Sequence, residues 1–183
     1  MPVSISREGD IALVTIDYPP VNALNKALRQ ELLDAANELD ADSSIRGVVL
    51  TCTGRTFIAG ADVSEFDRAP EEPHLPDVIA RIEKAAKPWC AAIHGTALGG
   101  GFEVAMGCRF RVMASTAQVG LPEVTLGVVP GSGGTVRTPR LGGVEAAVEM
   151  VTSGKMLRAK DAQTKGLVDL VTESEPVKAA IAF

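Results

Sequence analysis

Two glutamates stand alone in apolar surroundings, where a carboxyl group is suited to proton transfer. Glu103 lies in the run FEVAM, and Glu123 follows in the run GLPEV. Burial of an unpaired carboxyl group disfavours its charged form and raises its pKa toward the range useful for acid–base chemistry. Two such groups that meet in space can bind one water molecule and transfer its protons. Each also has a plainer interpretation: Glu103 as an acidic residue in a first helical turn, and Glu123 as a surface carboxylate in a proline-bent loop.

The glycine-rich stretch HGTALGGGFE, residues 94–103, leads into Glu103. It follows a strand pattern and opens a helix pattern, so its free N–H groups are suited to binding an anion. A nucleotide phosphate is one candidate, but neither the P-loop Lys-Ser/Thr pair nor the dinucleotide spacing is present. A developing oxyanion fits better, because such donors are aimed in advance at the charge. Alternatively, the glycines only pack a helix onto a strand.

Two further stretches are rich in small residues. The run IAGADV, residues 58–63, follows a buried strand, and its small side chains let a ligand approach the backbone. A plain tight turn is the alternative. In the run PGSGG, Ser132 suggests a nucleophile elbow, but the G-x-S-x-G pattern needs glycine where Pro130 stands. With only His74 and His94 as histidines, a serine-hydrolase triad is not favoured.

Composition narrows the class of protein. The 183 residues predict one domain, and 46% hydrophobic with 22% charged residues is ordinary for a globular protein. A net charge of −5 without a basic cluster argues against a nucleic-acid partner. No apolar run is long enough for a membrane span, and the N-terminus does not resemble a signal peptide. We expect the widely spaced Cys52, Cys90 and Cys108 to be buried reduced thiols of a cytoplasmic protein, not zinc ligands or disulfides.

Strand and helix patterns alternate along the chain, which predicts an α/β domain. Strands are expected at residues 3–6, 11–17, 47–52, 89–93, 109–114 and 167–171. Helices are expected at residues 24–40, 76–87, 102–108, 144–152 and 159–166. Prolines and glycines should break residues 120–143 into short elements. The ending VTESEPVKAAIAF resembles the start of another helix.

Three ordered motifs carry a resemblance to a known family: IAGADVSEF, IHGTALGGGFEVAMGCRFRV and VGLPEVTLGVVPGSGGTVRTPRLGG. Together they resemble the enoyl-CoA hydratase/isomerase (crotonase) superfamily over essentially the whole chain. The N-terminal hydratase part of multifunctional β-oxidation proteins, which pair it with a 3-hydroxyacyl-CoA dehydrogenase, is the most similar branch. The resemblance implies a right-handed spiral of ββα turns and a site for an acyl-CoA thioester.

The resemblance also implies roles for particular residues. Glu103 and Glu123 match the two catalytic glutamates, and the amides of Ala61 and Gly100 match the oxyanion hole. The other expected substrate-binding residues are Ala59, Gly60, Asp62 and Gly99. Having both glutamates favours enoyl-CoA hydration over Δ3,Δ2-enoyl-CoA isomerisation, which remains an alternative, as does a non-catalytic acyl-CoA-binding fragment. No metal, redox cofactor or NAD chemistry is implied.

Two expectations concern partners of this domain. Lys26 and Arg29 are candidate cations for the CoA pyrophosphate, although both are also ordinary helix charges. Members of the family continue into C-terminal helices, so we expect residues 1–183 to be one crotonase-like domain truncated at its C-terminus. A homo-oligomer, or a fused or partner dehydrogenase domain, is the expected assembly, with no nucleic acid and no membrane.

Overall fold

The computed structural model describes residues 1–65, 67 and 69–183, and these form an α/β fold with two sheets. The strands are β1 (Val3–Glu8), β2 (Ile11–Ile16), β3 (Gly47–Cys52), β4 (Trp89–Ile93), β5 (Thr96–Leu98), β6 (Phe110–Ala114), β7 (Gln118–Gly120), β8 (Leu157–Arg158) and β9 (Leu170–Thr172). The helices are α1 (Lys26–Ala41), α2 (Leu75–Glu83), α3 (Gly100–Gly107), α4 (Gly134–Ser153), α5 (Ala159–Thr164) and α6 (Pro176–Ala182).

The larger sheet has the order β1-β2-β3-β4-β6-β9, and the smaller has the order β5-β7-β8. β1 and β2 pair antiparallel, and the other pairs of the larger sheet are parallel. β4 in the larger sheet is followed by β5 in the smaller sheet, and β6 is followed by β7 in the same way. Each of these turns of the chain therefore adds one strand to each sheet before the next helix. The expected ββα turns are therefore present.

β3 and β4 are buried along their whole length because apolar layers cover both faces of the sheet. The main core fills one face and includes Trp89, Phe57 and Phe102. A second cluster, centred on Val49 and Val112, lies beneath α6 on the other face. All three cysteines are buried, as predicted. Within the described part of the chain, no helix combines the length and apolar character that crossing a membrane requires.

The ends of the predicted elements differ by a few residues. α1 begins at Lys26 because the side chain of Asn25 accepts a hydrogen bond from the Leu28 amide at 2.9 Å. α2 ends at Glu83, four residues before the predicted end at residue 87. The helix expected from the ending of the chain is present as α6.

The prediction for residues 120–143 was wrong in one respect. A helical segment begins at Gly134, runs through Pro139 and is interrupted only at Gly143, whose φ of 82° and ψ of 166° are not helical. The Thr138 hydroxyl bonds the Gly134 carbonyl at 2.7 Å. Pro139 has no backbone N–H, so the Thr135 carbonyl loses its helical hydrogen bond. Thr135 is exposed, so water can replace that donor.

Candidate active site

A cavity of about 380 Å³ lies where the segment after β3 meets the start of α3 and the segment before α4. All the predicted site residues except Asp62 line it: Ala59, Gly60, Ala61, Gly99, Gly100, Glu103 and Glu123. Three stretches far apart in the chain thus contribute to one wall. In the part of the chain that the structure describes, no group of three or more histidine, cysteine, aspartate or glutamate side chains is arranged to hold a metal.

The amide of Ala61 is left free by an isolated parallel bridge. The Leu24 amide donates to the Gly60 carbonyl at 2.9 Å, and the Leu24 carbonyl accepts from the Asp62 amide at 3.3 Å. These two bonds straddle Ala61, so its own N–H points away from the bridge. Among the described residues, no hydrogen-bond acceptor is paired with that N–H.

Asn22 fixes the segment that forms this bridge. Its side-chain amide lies 3.0 Å from the carbonyl oxygens of Thr53, Thr56 and Phe57, and its side-chain oxygen accepts from the Tyr18 amide at 2.8 Å. Asn22 is 3% exposed and has a φ of 55°, a region that asparagine tolerates better than most residues. Hydrogen bonds therefore hold the turn before α1 against residues 53–57, which lead to Ala61.

The amide of Gly100 is free because it opens a helix. Gly99 precedes it with φ 51° and ψ −126°, a conformation that favours glycine. The Gly99 amide donates to the Gly120 carbonyl at 2.9 Å, whereas no acceptor is paired with the Gly100 amide in the described chain. A Cβ at Gly100 would lie 3.6 Å from the Ala61 nitrogen, so the two free amides are neighbours.

Glu103 is buried in the first turns of α3, with 2% of its surface exposed. Its Oε1 accepts hydrogen bonds from the Ser132 and Gly134 amides, both at 2.8 Å. Burial raises the pKa of Glu103, while those two bonds and the positive charge of Arg137 oppose the rise. The Ser132 side chain also favours the charged form. Among the described residues, no backbone donor is paired with the second carboxylate oxygen, and Glu103 lines the cavity.

Glu123 is half-buried in a 3-10 helix, Pro122–Leu126. A Cβ on Gly99 would lie 3.0 Å from its Oε1, which places this carboxyl group beside the start of α3. Its Oε2 is buried, and none of the described residues is paired with it by a hydrogen bond. Burial raises the pKa of Glu123, its own backbone N–H opposes the rise, and the negative charge of Glu103 adds to it. Glu123 therefore holds a proton more readily than an ordinary carboxyl group.

The mouth of the cavity is apolar and open. Its exposed side chains are Val63, Leu126, Val128 and Val129, with exposed fractions of 67%, 62%, 48% and 71%. Exposed apolar groups that rim a cleft are typical of sites for apolar ligands. The arrangement can therefore hold a carbonyl oxygen at two amides, place two carboxyl groups beside it and accept an apolar tail.

Asp62 and the two candidate cations lie outside this cavity. Asp62 accepts from the Ser64 amide at 3.0 Å and lines a neighbouring cleft of about 410 Å³, so its substrate-binding role stays a prediction. Arg29 lines the same cleft but is 8% exposed and is paired with Glu65 at 2.7 Å. Lys26 forms an ion pair with Glu71. A role of either cation in binding pyrophosphate therefore stays a prediction.

The chain matches a family model, described as enoyl-CoA hydratase/isomerase, over residues 6–181. It belongs to the enoyl-CoA hydratase/isomerase family. A crystal structure of an enoyl-CoA hydratase from Bacillus anthracis superposes with a TM-score of 0.94 at 33% identity, covering 100% of this chain and 74% of the other. This match confirms the fold implied by the three motifs.

Two curated relatives of the hydratase/isomerase family are longer. The peroxisomal bifunctional enzyme of Danio rerio is 42% identical over 173 residues, which are 94% of this chain and 24% of the relative. The fatty acid oxidation complex subunit alpha of Pseudomonas aeruginosa (strain LESB58) is 42% identical over 184 residues, covering 94% of this chain and 26% of the relative. The chain therefore spans about a quarter of the length of these two relatives.

Sequence reasoning missed the turn that receives Glu103. The amides of Ser132 and Gly134 bind its carboxylate, whereas the PGSGG run was considered only as a nucleophile elbow. Closely spaced glycines around a small residue are also the signature of a turn whose N–H groups converge on an anion. Together with the isolated Glu103, this pattern could have predicted that the amides of the turn bind the Glu103 carboxylate.

Proposed function

We propose that this chain is an enoyl-CoA hydratase that adds water across the double bond of a trans-2-enoyl-CoA in fatty-acid β-oxidation. One observation carries the proposal: two unequally hydrogen-bonded carboxyl groups and two free amides share the wall of one cavity. Hydration requires a base, an acid and a place for negative charge, and these groups can supply all three. The name of the Pseudomonas aeruginosa relative supports the connection to fatty-acid oxidation.

The amides of Ala61 and Gly100 would hold the thioester oxygen. As water adds to C3, electrons move toward the thioester and negative charge develops on that oxygen. Two donors fixed in advance stabilise this charge without reorganisation, and the N-terminus of α3 adds a favourable dipole. Because both donors belong to the backbone, their direction depends on the bridge to Leu24 and on the conformation of Gly99.

Glu103 would act as the base and Glu123 as the acid. The free oxygen of Glu103 takes a proton from a water molecule as that water attacks C3. Glu123 gives its proton to C2, so the product gains one hydroxyl group and one hydrogen. Glu103 then holds the extra proton and Glu123 is ionised, and exchange with solvent restores both.

The cofactor and location are also part of the proposal. Adding water is redox-neutral overall, so the reaction needs no redox cofactor, and coenzyme A arrives as part of the substrate. The two carboxyl groups and two amides would supply the acid, the base and the charge stabilisation without a metal. The apolar mouth of the cavity fits the acyl chain. A cytoplasmic location stays a prediction, which a fluorescent fusion of the full-length gene product tests.

Isomerisation is a second candidate, favoured by the unpaired oxygen of Glu123. Moving a double bond from C3 to C2 requires removing a proton from C2 and returning one to C4. A single carboxyl group with a free oxygen can do both. Hydratase and isomerase activities in one site are therefore compatible with this geometry.

The deciding experiment measures the loss of ultraviolet absorbance of crotonyl-CoA and of longer enoyl-CoAs. Hydration predicts loss of the conjugated chromophore and formation of the 3-hydroxy product. A 3-enoyl-CoA substrate tests isomerisation, because conjugation is then gained. Binding of acyl-CoA without turnover of either substrate would contradict the enzyme proposal and favour an acyl-CoA-binding module.

A further inference from the structure

The side chain of Arg137 on α4 turns back to the segment that binds Glu103. Its Nη1 donates to the Ser132 carbonyl at 3.0 Å. Gly133 makes this possible: its φ is 99°, and a Cβ there would lie only 2.1 Å from Nη1. The glycine therefore provides both the turn and the space that the guanidinium group occupies.

Glu83, at the end of α2, holds the other side of the guanidinium group. Its two oxygens accept from Arg137 Nη2 at 2.7 Å and from Nε at 3.2 Å. The side chain of Arg137 is 12% exposed and that of Glu83 is 46% exposed. A planar guanidinium bonded on both edges has little freedom, since its donors are fixed relative to each other.

Ser132 connects this pair to the cavity. Its amide donates to Glu103, and its carbonyl accepts from Arg137. We propose that Arg137 is a positioning residue, which fixes the Ser132 turn so that the Glu103 carboxyl group stays directed into the cavity, and that Glu83 anchors it. The predicted effect on rate rests on the proposed hydration, whereas the predicted effect on the ionisation of Glu103 does not.

The charges around Glu103 predict the direction in which its pKa should change in each variant. Among the described residues, the groups that act on it are Glu123 from the 3-10 helix and Arg137 from α4. The positive charge of Arg137 lowers the pKa of Glu103 against the effect of burial. Removing that charge should raise the pKa of Glu103. Neutralising Glu83 removes a negative charge beside Arg137 and should lower it.

The experiment follows the ionisation of Glu103 directly. The side-chain carboxyl carbons of glutamate are labelled with ¹³C, and the Glu103 signal is assigned by its absence in Glu103→Gln. Titration is measured in a Glu123→Gln background, because two coupled carboxyl groups do not titrate independently. We expect the midpoint to move to higher pH in Arg137→Met and to lower pH in Glu83→Gln. Arg158→Met, at an exposed arginine outside α4, is the control and should leave the midpoint unchanged.

Kinetic measurements on variants that keep Glu123 distinguish the effect of Arg137 on the position of Glu103 from the effect of its charge. Arg137→Met should lower kcat by about 10- to 100-fold with a smaller change in KM, since a misplaced base loses rate more than binding. Arg137→Lys keeps the charge but not the two-sided bonding. We expect it to restore the titration midpoint and only part of kcat.

Two results would overturn the proposal. One is a folded Arg137→Met variant, checked by circular dichroism, with an unchanged Glu103 midpoint. The other is a shift in the same direction for Arg137→Met and Glu83→Gln, which indicates general loosening. If Arg137→Met does not fold, the Glu103 midpoints in Arg137→Lys and Glu83→Gln still test the proposal. If the unmutated chain has no hydratase activity, the proposed function fails but the titration test stands.

Discussion

Glu103 and Glu123 line one cavity, yet one oxygen of Glu103 accepts two backbone hydrogen bonds, while one oxygen of Glu123 has no partner among the described residues. Donors to the charged form favour ionisation, and their absence favours the protonated acid. Burial raises the pKa of both groups, but two amides from another segment oppose the rise at Glu103, whereas at Glu123 only its own amide opposes it among the described residues. The surroundings of each carboxyl group, not its residue type, support the proposed division of roles.

Replacing each glutamate separately should have different effects. Glu103→Gln should remove most hydration and spare part of any isomerisation, because isomerisation needs one proton shuttle. Glu123→Gln should reduce both, because this residue exchanges the proton at C2. A loss of about 10²- to 10⁴-fold is the usual scale for a general acid or base. Equal hydration rates in both folded variants and the unmutated chain would place the chemistry elsewhere.

A methyl group at Gly100 should damage the proposed oxyanion hole. The added Cβ would lie 2.9 Å from Leu75 Cδ2, which must move, and 3.6 Å from the Ala61 nitrogen, so the methyl group would crowd the space beside the two proposed donors. We expect Gly100→Ala to lower kcat by about 10²-fold, the scale for losing one oxyanion donor. Gly47→Ala is the matched control, since its Cβ would also meet the end of a flexible side chain, Ile11 Cδ1 at 3.2 Å, but lies outside the cavity. Similar rates for both variants would contradict the role of Gly100.

Removing the side chain of Asn22 should destabilise the fold and slow the reaction. Asn22→Ala leaves the Tyr18 amide and three carbonyl oxygens, two of them in buried contacts, without this partner. We expect a loss of about 2–4 kcal/mol in the free energy of unfolding, measured with urea. Asn37→Ala, which removes one exposed contact with Arg81, is the control and should cost less than about 1 kcal/mol. A loss no larger than that of the control would show that Asn22 does not fasten the loop.

Glu123→Gln should raise the melting temperature at neutral pH. The pKa of Glu123 is raised in the folded state, so folding favours its protonated form. Its contribution to stability is therefore present at low pH and is lost as the pH rises from its unfolded pKa through its folded pKa. The variant should match the unmutated chain at about pH 4 and exceed it increasingly above the ordinary carboxyl range. The exposed Glu38→Gln is the control for the amide replacement, and a constant difference at all pH values would refute this explanation.

Much of the fold was predictable because its central strands are fully buried and therefore apolar. The predicted ranges 47–52 and 89–93 coincide with β3 and β4. The strands of the smaller sheet, β5, β7 and β8, were not predicted. Each has only two or three residues, too few for a pattern of alternation, and their pairing depends on tertiary contacts. The helical turn around Pro139 was missed for a similar reason, since packing overrides the local preference of proline.

The candidate site was predictable in its residues but not in its connections. Glu103 and Glu123 are visible in the sequence because a charge in an apolar run is unusual. The contact between Glu103 and the Ser132 turn is not visible, because it joins residues 29 positions apart through main-chain groups. The free amide of Ala61 depends likewise on the bridge to Leu24. Backbone donors of this kind have no residue type by which a sequence can reveal them.

The two proposed oxyanion donors, at Ala61 and Gly100, are main-chain groups, and this has an evolutionary consequence. Point mutation does not remove an amide N–H, except by introducing proline, so this element is inherited with the fold itself. The carboxyl groups of Glu103 and Glu123 are side chains, and a single codon change can replace either. Selection can therefore exchange the proton-transfer groups while the element that stabilises negative charge stays constant. Such a scaffold is suited to diversifying into new reactions on one class of thioester.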